Sequence, residues 1–519
     1  FKTFDMRHKI KKSNNFKNSK QYLKMINDAS VYDVAIVSPI TFAKNLSSKL
    51  KNDVYLKRED LQPIFSFKNR GAFNKINSLS KQQKNRGVIA ASAGNHAQGV
   101  ANAAKKIGIP CLIVMPITTP DIKVSAVRSF GAKILLYGDN YNESSKKASS
   151  IAKQKKMELI HAFDDPMTIA GQGTIGKEIL DAEDNLDAVF VPVGGGGLLA
   201  GVSAWIAQQK KKVKIYGVEV DDSACLTEAI KANKRVKLRE VGLFADGVAV
   251  DQIGLHTFDV IKECVDGVIT VSIDELCAAV KDIFEDTRIL SEPAGALALA
   301  GLKKYASKIS NKKLLAISSG ANLNFERLNY IVERSEVGEN REKLLSIQIP
   351  EKPGSFLKLC RVFGRSQITE FNYRLADASS AHVLVGIKTD SESAFKKLKT
   401  QLKKNNFKTT DLSKNLISND HLRHMVGGHL KSNNEISERI FRCKFPVKPG
   451  ALLDFLRDFG SQWNISLFHY RNLGAAFANV LIGIQDSSSS KHSLNKHLDS
   501  LDYVFIEESE NIGYRTFLK

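Results

Sequence analysis

Between positions 54 and 316, short runs of β-branched and apolar residues alternate with segments of helical period. The runs fall at 88–91, 111–115, 133–137, 188–193, 214–219 and 314–318. Strands that take turns with helices in this way predict parallel sheets sandwiched by helices, an α/β architecture. Gly108 ends one helical segment, and Pro116 closes the strand that follows it. The run 188–193 predicts a buried parallel strand, which leads straight into Gly194-Gly195-Gly196-Gly197-Leu198 and then a helix over 199–208.

Beyond Glu336 the pattern changes and then repeats itself. Ile349-Pro350-Glu351-Lys352-Pro353-Gly354 recurs as Phe445-Pro446-Val447-Lys448-Pro449-Gly450, 96 residues later. Ile368-Thr369-Glu370-Phe371-Asn372-Tyr373-Arg374 recurs as Ile465-Ser466-Leu467-Phe468-His469-Tyr470-Arg471 at an offset of 97. Val383-Leu384-Val385-Gly386-Ile387 likewise matches Val480-Leu481-Ile482-Gly483-Ile484. Each copy reads strand, Pro-Gly turn into helix, two strands, helix, strand, the βαββαβ order of a ferredoxin-like α+β module. The expected organisation is a basic, flexible extension over 1–27, a catalytic α/β domain over 28–335, a linker over 336–343, and modules over 344–430 and 431–519.

Composition narrows the class. A length of 519 residues with 43% hydrophobic content supports about three units of ordinary domain size. No apolar stretch approaches the roughly 18 residues needed to cross a bilayer, so no membrane association is expected. The net charge of +21 is spread over solvent-facing lysines and short runs such as Lys210-Lys211-Lys212, without a zinc-finger, RRM or helix-turn-helix pattern. It therefore predicts solubility and not nucleic-acid binding. Six cysteines lie far apart with no CxxC or Cys/His ligand spacing, which fits a reducing cytosol and no metal. Residues 1–27 are Lys- and Asn-rich and poor in acids, and organellar import through them stays open.

Three segments carry candidate chemistry. Lys68 lies in Phe65-Ser66-Phe67-Lys68-Asn69-Arg70-Gly71, between aromatics and the start of a helix. An amine that attacks a carbonyl at neutral pH needs apolar or cationic neighbours to favour its neutral form. Read by itself, the same stretch is also an acceptable loop-to-helix junction with a snorkelling lysine. Ser92-Ala93-Gly94-Asn95-His96 follows a short apolar run and opens a helix, whose orphan amides suit a carboxylate. The four glycines from Gly194 let backbone N–H groups wrap a phosphate. An imine-forming lysine, a carboxylate nest and a phosphate nest together fit pyridoxal 5'-phosphate acting on an amino acid.

These motifs, in this order and with Ser318-Ser319-Gly320-Ala321-Asn322 downstream, resemble the fold-type-II pyridoxal-phosphate family over about residues 30 to 335. That family includes serine and threonine dehydratases, serine racemase, threonine synthase and cysteine synthase. The repeated modules resemble ACT domains, and a tandem of them after such a core, with Val426-Gly427-Gly428-His429 between the copies, resembles the layout of the biosynthetic threonine deaminase family. The resemblance implies a smaller mobile subdomain at about 85–170, dehydration of L-threonine to 2-oxobutanoate and ammonia with weaker turnover of L-serine, and a homotetramer. It also implies isoleucine as allosteric inhibitor, with valine as its antagonist.

It further implies the roles of particular residues. Lys68 would hold the cofactor as an imine and then act as base toward the substrate Cα proton. Asn95 would hydrogen-bond the cofactor's ring oxygen, and Ser92, Ala93, Gly94, Asn95 and His96 would hold the substrate carboxylate. For His96 a structural place at the helix start is an equal reading. Gly194, Gly195, Gly196, Gly197 and Leu198 would bind the phosphate through main-chain amides. Ser319, selected over Ser318 by the register of the motif, would contact the pyridine nitrogen. Phe67 would pack on the cofactor ring or serve as a core phenylalanine. Glu292 in Glu292-Pro293-Ala294-Gly295 would line the site or start a helix. Tyr373 and Tyr470, equivalent in the two copies, would line effector pockets or stand as buried aromatics. Some relatives hold a divalent ion through a glutamate and an aspartate six residues on; here Glu219 is followed at that offset by Cys225, so no such site is expected.

Two other readings use the same residues: a serine dehydratase or racemase with the same catalytic set, and a non-catalytic amino-acid sensor in which only the modules function.

Overall fold

A computed structural model describes residues 7–10, 17–209, 212–338, 342–350, 352–374, 380–389, 391–413, 415, 418, 438–446, 450–460, 462–471, 477–485, 491–501, 503–511 and 514. Two compact units divide the chain, Phe1–Gly338 and Glu339–Lys519. The segment 426–429 and the boundary expected at 430 lie outside the described residues.

In the first unit, strands Gly267–Val271, Lys214–Val220, Ala188–Pro192, Lys313–Ser318 and Asp53–Arg58 run parallel, in that order. Arg7–Lys9 and Ile40–Phe42 close the two edges antiparallel. The period of two places Ala188 and Phe190 in one core, with Val218, Leu314 and Ala316. Val189 and Val191 face the opposite core, with Ile215, Leu315 and Ile317. Both faces are covered, which is why these strands are apolar throughout. A second sheet is parallel throughout, in the order Lys133–Leu136, Cys111–Met115, Val88–Ala91, Glu158–Leu159. It forms the smaller subdomain. Residues 166–170 belong instead to helix Pro166–Ala182, whose Ile169 and Ala170 pack in the large-sheet core.

Two expectations are corrected. Residues 17–27 are not a flexible extension: helix Lys17–Asn27 buries Ser19, Tyr22 and Ile26, and the last two sit in the large-sheet core. Glu263 fastens its start, taking the Ser19 N–H at 2.9 Å and the Asn18 N–H at 3.1 Å. The linker at 336–343 is also shorter than expected, since helix Leu328–Gly338 enters it from one side and strand Glu342–Pro350 from the other.

The second unit contains the βαββαβ order twice, fused into one antiparallel sheet of eight strands. Ile368–Arg374 pairs with its repeat counterpart Ile465–Arg471 at the centre. Gly354 (φ 82°) and Gly450 (φ 83°) precede the equivalent helices Ser355–Phe363 and Ala451–Phe459, a left-handed turn that favours glycine in both copies. One core holds both modules, including Phe356, Phe371, Phe455 and Phe468.

Candidate active site

Lys68 opens helix Lys68–Asn77, which follows the strand Asp53–Arg58 of the large sheet. The loop before it is pinned to the end of strand Lys313–Ser318. Phe67 N–H donates to Ser319 O at 3.3 Å, Ala321 N–H donates to Phe65 O at 2.9 Å, and Ser66 bridges Gly320. Phe65 takes a positive φ of 55° to allow it. The lysine and the Ser319 segment, some 250 positions apart, are thereby neighbours.

Lys68 Nζ donates to Ala162 O at 3.2 Å and stands 5.1 Å from the centre of the Phe67 ring. Burial pulls its pKa from the ordinary lysine range down to about 8, against the opposing charge of Glu292. At pH 7 that leaves roughly one lysine in ten neutral, several hundred times the fraction of an exposed one. The Phe67 ring is half-buried and packs against the large-sheet core.

Ala162 also leads to the glycine turn, because the next residue, Phe163, lies across it. A Cβ on Gly195 would run into the Phe163 ring, and one on Gly197 would meet Phe163 O at 2.9 Å. Gly196 has a φ of 89°. The turn's carbonyls point away from the site: Gly195 O accepts from Thr257 Oγ1 at 2.8 Å and Gly194 O from Cys225 Sγ at 3.5 Å. Among the described residues, the amides of Gly194, Gly195, Gly196 and Gly197 donate to no protein acceptor, and helix Gly197–Ile206 starts there. Free amides around a turn without side chains suit a phosphate.

From the smaller subdomain, Asn95 opens helix Asn95–Ile107. Its Nδ2 donates to Glu292 Oε1 at 2.6 Å, and its Oδ1 accepts from Asn322 Nδ2 at 2.7 Å. Glu292 is buried, and burial followed by the charge of Asp246 pushes its pKa up to about 7. Ser92 Oγ takes the Gly94 N–H at 3.2 Å, and a Cβ on Gly94 would meet nothing within 4 Å, so the loop 92–95 presents an open face. His96 points elsewhere: its Nε2 donates to Ile160 O at 2.9 Å, and burial together with the nearby Lys68 pulls its pKa down to about 3. Of its two readings, the structural one matches this position. Ser319 Oγ donates to Ala294 O at 3.3 Å, while the buried Ser318 hydroxyl has no hydrogen-bond partner among the described residues.

The structure thus brings together Lys68, Asn95, Glu292, Ser319 and the glycine turn. Tyr373 and Tyr470 lie in the second unit. Both are buried; Tyr373 packs edge-on against Phe356 at 4.8 Å, and Tyr470 Oη donates to Ile368 O at 3.3 Å. A small cleft, with room for only about one water, lies between the two modules beside Tyr470, Leu452 and Phe363. The residues that sequence reasoning passed over are Ala162, Phe163 and Asn322. Asn322 stood in a quoted motif without a role; Phe163 and Ala162 carry no local signal. Glu219, on strand Lys214–Val220, is occupied by the start of helix Cys225–Ala232, accepting from Leu226 N at 2.7 Å, Thr227 N at 2.8 Å and Thr227 Oγ1 at 2.7 Å.

Comparison with known proteins agrees with this geometry. Residues 32–320 match the model of pyridoxal-phosphate dependent enzymes, and 333–422 and 428–518 each match the C-terminal regulatory domain of threonine dehydratase. L-threonine dehydratase biosynthetic IlvA of Burkholderia multivorans is 47% identical over 506 residues, covering 96% of this chain and 99% of that one. Its counterpart in Pasteurella multocida is 50% identical over 501 residues, covering 96% and 97%. The chain belongs to the threonine dehydratase family. The processed form of threonine deaminase isoform 2 from Solanum lycopersicum superposes with a TM-score of 0.62 at 44% identity, over 63% of this chain and 97% of that one.

As in other pyridoxal-phosphate dependent enzymes, the cofactor of this threonine dehydratase family member is pyridoxal 5'-phosphate, and the residues present fit it. The unpartnered amides and the Cβ-intolerant turn suit its phosphate, Lys68 suits its aldehyde, and the hydroxyls of Ser318 and Ser319 are the polar groups at the strand end opposite. Gly195→Ala should weaken cofactor retention, because the new methyl must displace the Phe163 ring or the turn. A rise in the pyridoxal-phosphate Kd of about tenfold or more, near 1.4 kcal/mol, is expected from absorbance titration of the apoprotein. An unchanged Kd would remove the turn from the cofactor site.

Proposed function

We propose that the chain dehydrates and deaminates L-threonine to 2-oxobutanoate and ammonia, the first committed step toward isoleucine. The observation that carries this reading is the zipping of Lys68 to Ser319 while Ala162 and Phe163 join the same lysine to the glycine turn. When bound, the cofactor supplies the electron sink that makes the substrate Cα–H acidic. Lys68 would hold it and take the Cα proton; the reduced lysine pKa favours that exchange. Asn95, braced by Glu292 and Asn322, would orient the ring oxygen, and the open loop 92–95 would receive the substrate carboxylate. Ser319 would face the pyridine nitrogen with a hydroxyl, which does not force protonation as an aspartate would. That favours elimination over transamination.

L-serine lacks only a methyl, worth about 1–3 kcal/mol in a pocket, so slow pyruvate formation from it is expected. Measuring 2-oxobutanoate from threonine beside pyruvate and D-serine from serine tests the reading: inert threonine or dominant D-serine would favour the racemase alternative. The enzyme is read as a cytosolic homotetramer; its six buried, free cysteines support a reducing compartment, and no described helix is long and apolar enough to cross a membrane.

The tandem modules are read as the isoleucine site, opposed by valine. The effector is read as binding at the seam of the modules beside Tyr470, where a small cleft would have to widen to admit it. Tyr470→Ala is expected to raise the isoleucine concentration for half-inhibition about tenfold, the effect of roughly one lost hydrogen bond and ring contact, with threonine turnover alone unchanged. Inhibition by isoleucine with the wild-type midpoint would place the effector elsewhere.

A further inference from the structure

The smaller subdomain meets the large one along two kinds of boundary. On one side the contact is close and backbone-to-backbone: a Cβ on Gly99 would stand 3.0 Å from Lys68 O, and helix Asn95–Ile107 packs against helix Lys68–Asn77 there. On the other side the contacts are polar. They comprise Asn95 with Glu292 and Asn322, and an ion pair in which Lys123 Nζ stands 2.6 Å from Asp246 Oδ2. Apolar helix packing resists separation because opening it exposes apolar surface, whereas polar contacts can exchange with water.

Lys123 lies in the first turn of helix Asp121–Ser129, in the smaller subdomain. Asp246 heads the short turn Asp246–Val248 of the large one, where Arg327 holds it from behind: Arg327 Nη1 is 3.6 Å from Asp246 Oδ1 and donates to Phe244 O at 2.7 Å. This turn touches two parts of the site at once. A Cβ on Gly194 would meet Val248 Cα at 3.0 Å, so the turn backs the glycine loop. A Cβ on Gly247 would meet Ala294 Cβ at 2.9 Å, with Glu292 Oε1 and Asn95 Nδ2 at 3.9 and 4.0 Å. The Asn95–Glu292 hydrogen bond therefore lies directly under the turn that Lys123 grips.

We propose that Lys123 and Asp246 are positioning residues that clasp the smaller subdomain over the site, seating Asn95 on Glu292, and that the amino-acid substrate enters and product leaves when the pair parts. This rests on the reading of the site as the place of threonine dehydration. Neither residue takes part in the chemistry. Closing sets the loop 92–95 against the bound substrate and excludes water, as lids do in enzymes whose catalytic groups come from two bodies.

The test is steady-state kinetics on the full-length holoenzyme with L-threonine, for Lys123→Met, Asp246→Asn and the swap Lys123→Asp with Asp246→Lys. Each single variant is expected to raise KM about tenfold or more while kcat falls less than about threefold, and the swap should recover most of that loss. Wild-type KM should also rise as salt increases from about 50 to about 500 mM, where screening shortens to a few ångströms, and the single variants should lose that dependence. Single variants with wild-type KM, a wild-type KM indifferent to salt, or a swap no better than the singles would overturn the clasp. A variant that fails to fold leaves the wild-type salt dependence to decide. Wild-type 2-oxobutanoate release reports separately on the reaction itself.

Discussion

Lys68→Ala is expected to lower 2-oxobutanoate formation from L-threonine by about a thousandfold or more in a protein that still folds. The size follows from what else the site offers. Lys68 Nζ is held on Ala162 O at the junction of the glycine turn and the Ser319 segment, where burial brings its pKa to about 8. The nearby imidazoles cannot stand in. His96 Nε2 is engaged by Ile160 O and its pKa lies near 3, and His161 Nδ1 accepts the backbone N–H groups of Phe163 and Asp164 at 3.3 and 2.9 Å. Glu292 is tied to Asn95 and offers no amine. Keto-acid release gives the rate, and borohydride reduction followed by peptide mapping gives the attachment point. Wild-type protein should be labelled on the peptide containing Lys68 and the variant should not. Retention of more than about a hundredth of the activity would show that another group does this work.

Arg70→Ala is expected to destabilise the first unit by about 3–5 kcal/mol, the typical result of stranding buried charge. Arg70 lies two residues after Lys68 on the same helix and is fully buried. Its guanidinium grips Glu59 twice, at 2.8 and 2.8 Å, reaches Glu178 at 2.5 and 3.0 Å, and donates to Thr174 Oγ1 at 3.1 Å and Ile36 O at 3.0 Å. Lys57 completes a neutral set by donating to Glu178 Oε2 at 2.6 Å. Without Arg70, two carboxylates share one ammonium in a dry interior. Arg70→Lys should not rescue it, because one ammonium cannot span both carboxylates.

The pH dependence has a definite sign. Burial alone would raise the Glu178 carboxyl, but the charges of Arg70 and Lys57 overcome it and hold the pKa below the usual range. A carboxylate depressed in the folded state stabilises fully above its unfolded pKa, and that contribution is lost as the pH falls through its folded value. The deficit of Arg70→Ala should therefore be largest near neutral pH and shrink on acidification. Urea midpoints for the first unit at pH 7 and at about pH 4 check this. A deficit under about 1 kcal/mol at pH 7 would mean that water enters and solvates the carboxylates.

How much of this was legible depended on how local each signal is. Strands such as Ala188–Pro192 and Lys313–Ser318 were readable because a strand covered on both faces must be apolar throughout, and sequence shows that directly. Helix Lys17–Asn27 was not, because its buried positions Ser19, Tyr22 and Ile26 are few among lysines and asparagines, and the carboxylate that fastens it, Glu263, is 244 positions from Ser19. In the site, Lys68, Asn95, Ser319 and the glycines stand in motifs whose spacing encodes a turn or a helix start. Phe163 and Asp246 have no such spacing, since each matters only for what it meets across the fold.

By itself the sequence determined the alternation of strands and helices and the duplicated module, because periodicity, Pro-Gly turns and glycine runs act within a few residues. Only the tertiary structure decided that His96 is held by a carbonyl, that Glu292 braces Asn95, that Arg70 is neutralised from two other segments, and that Lys123 reaches Asp246. Those are contacts between distant segments, and their energy depends on burial and approach distance, which packing sets after the local elements have formed.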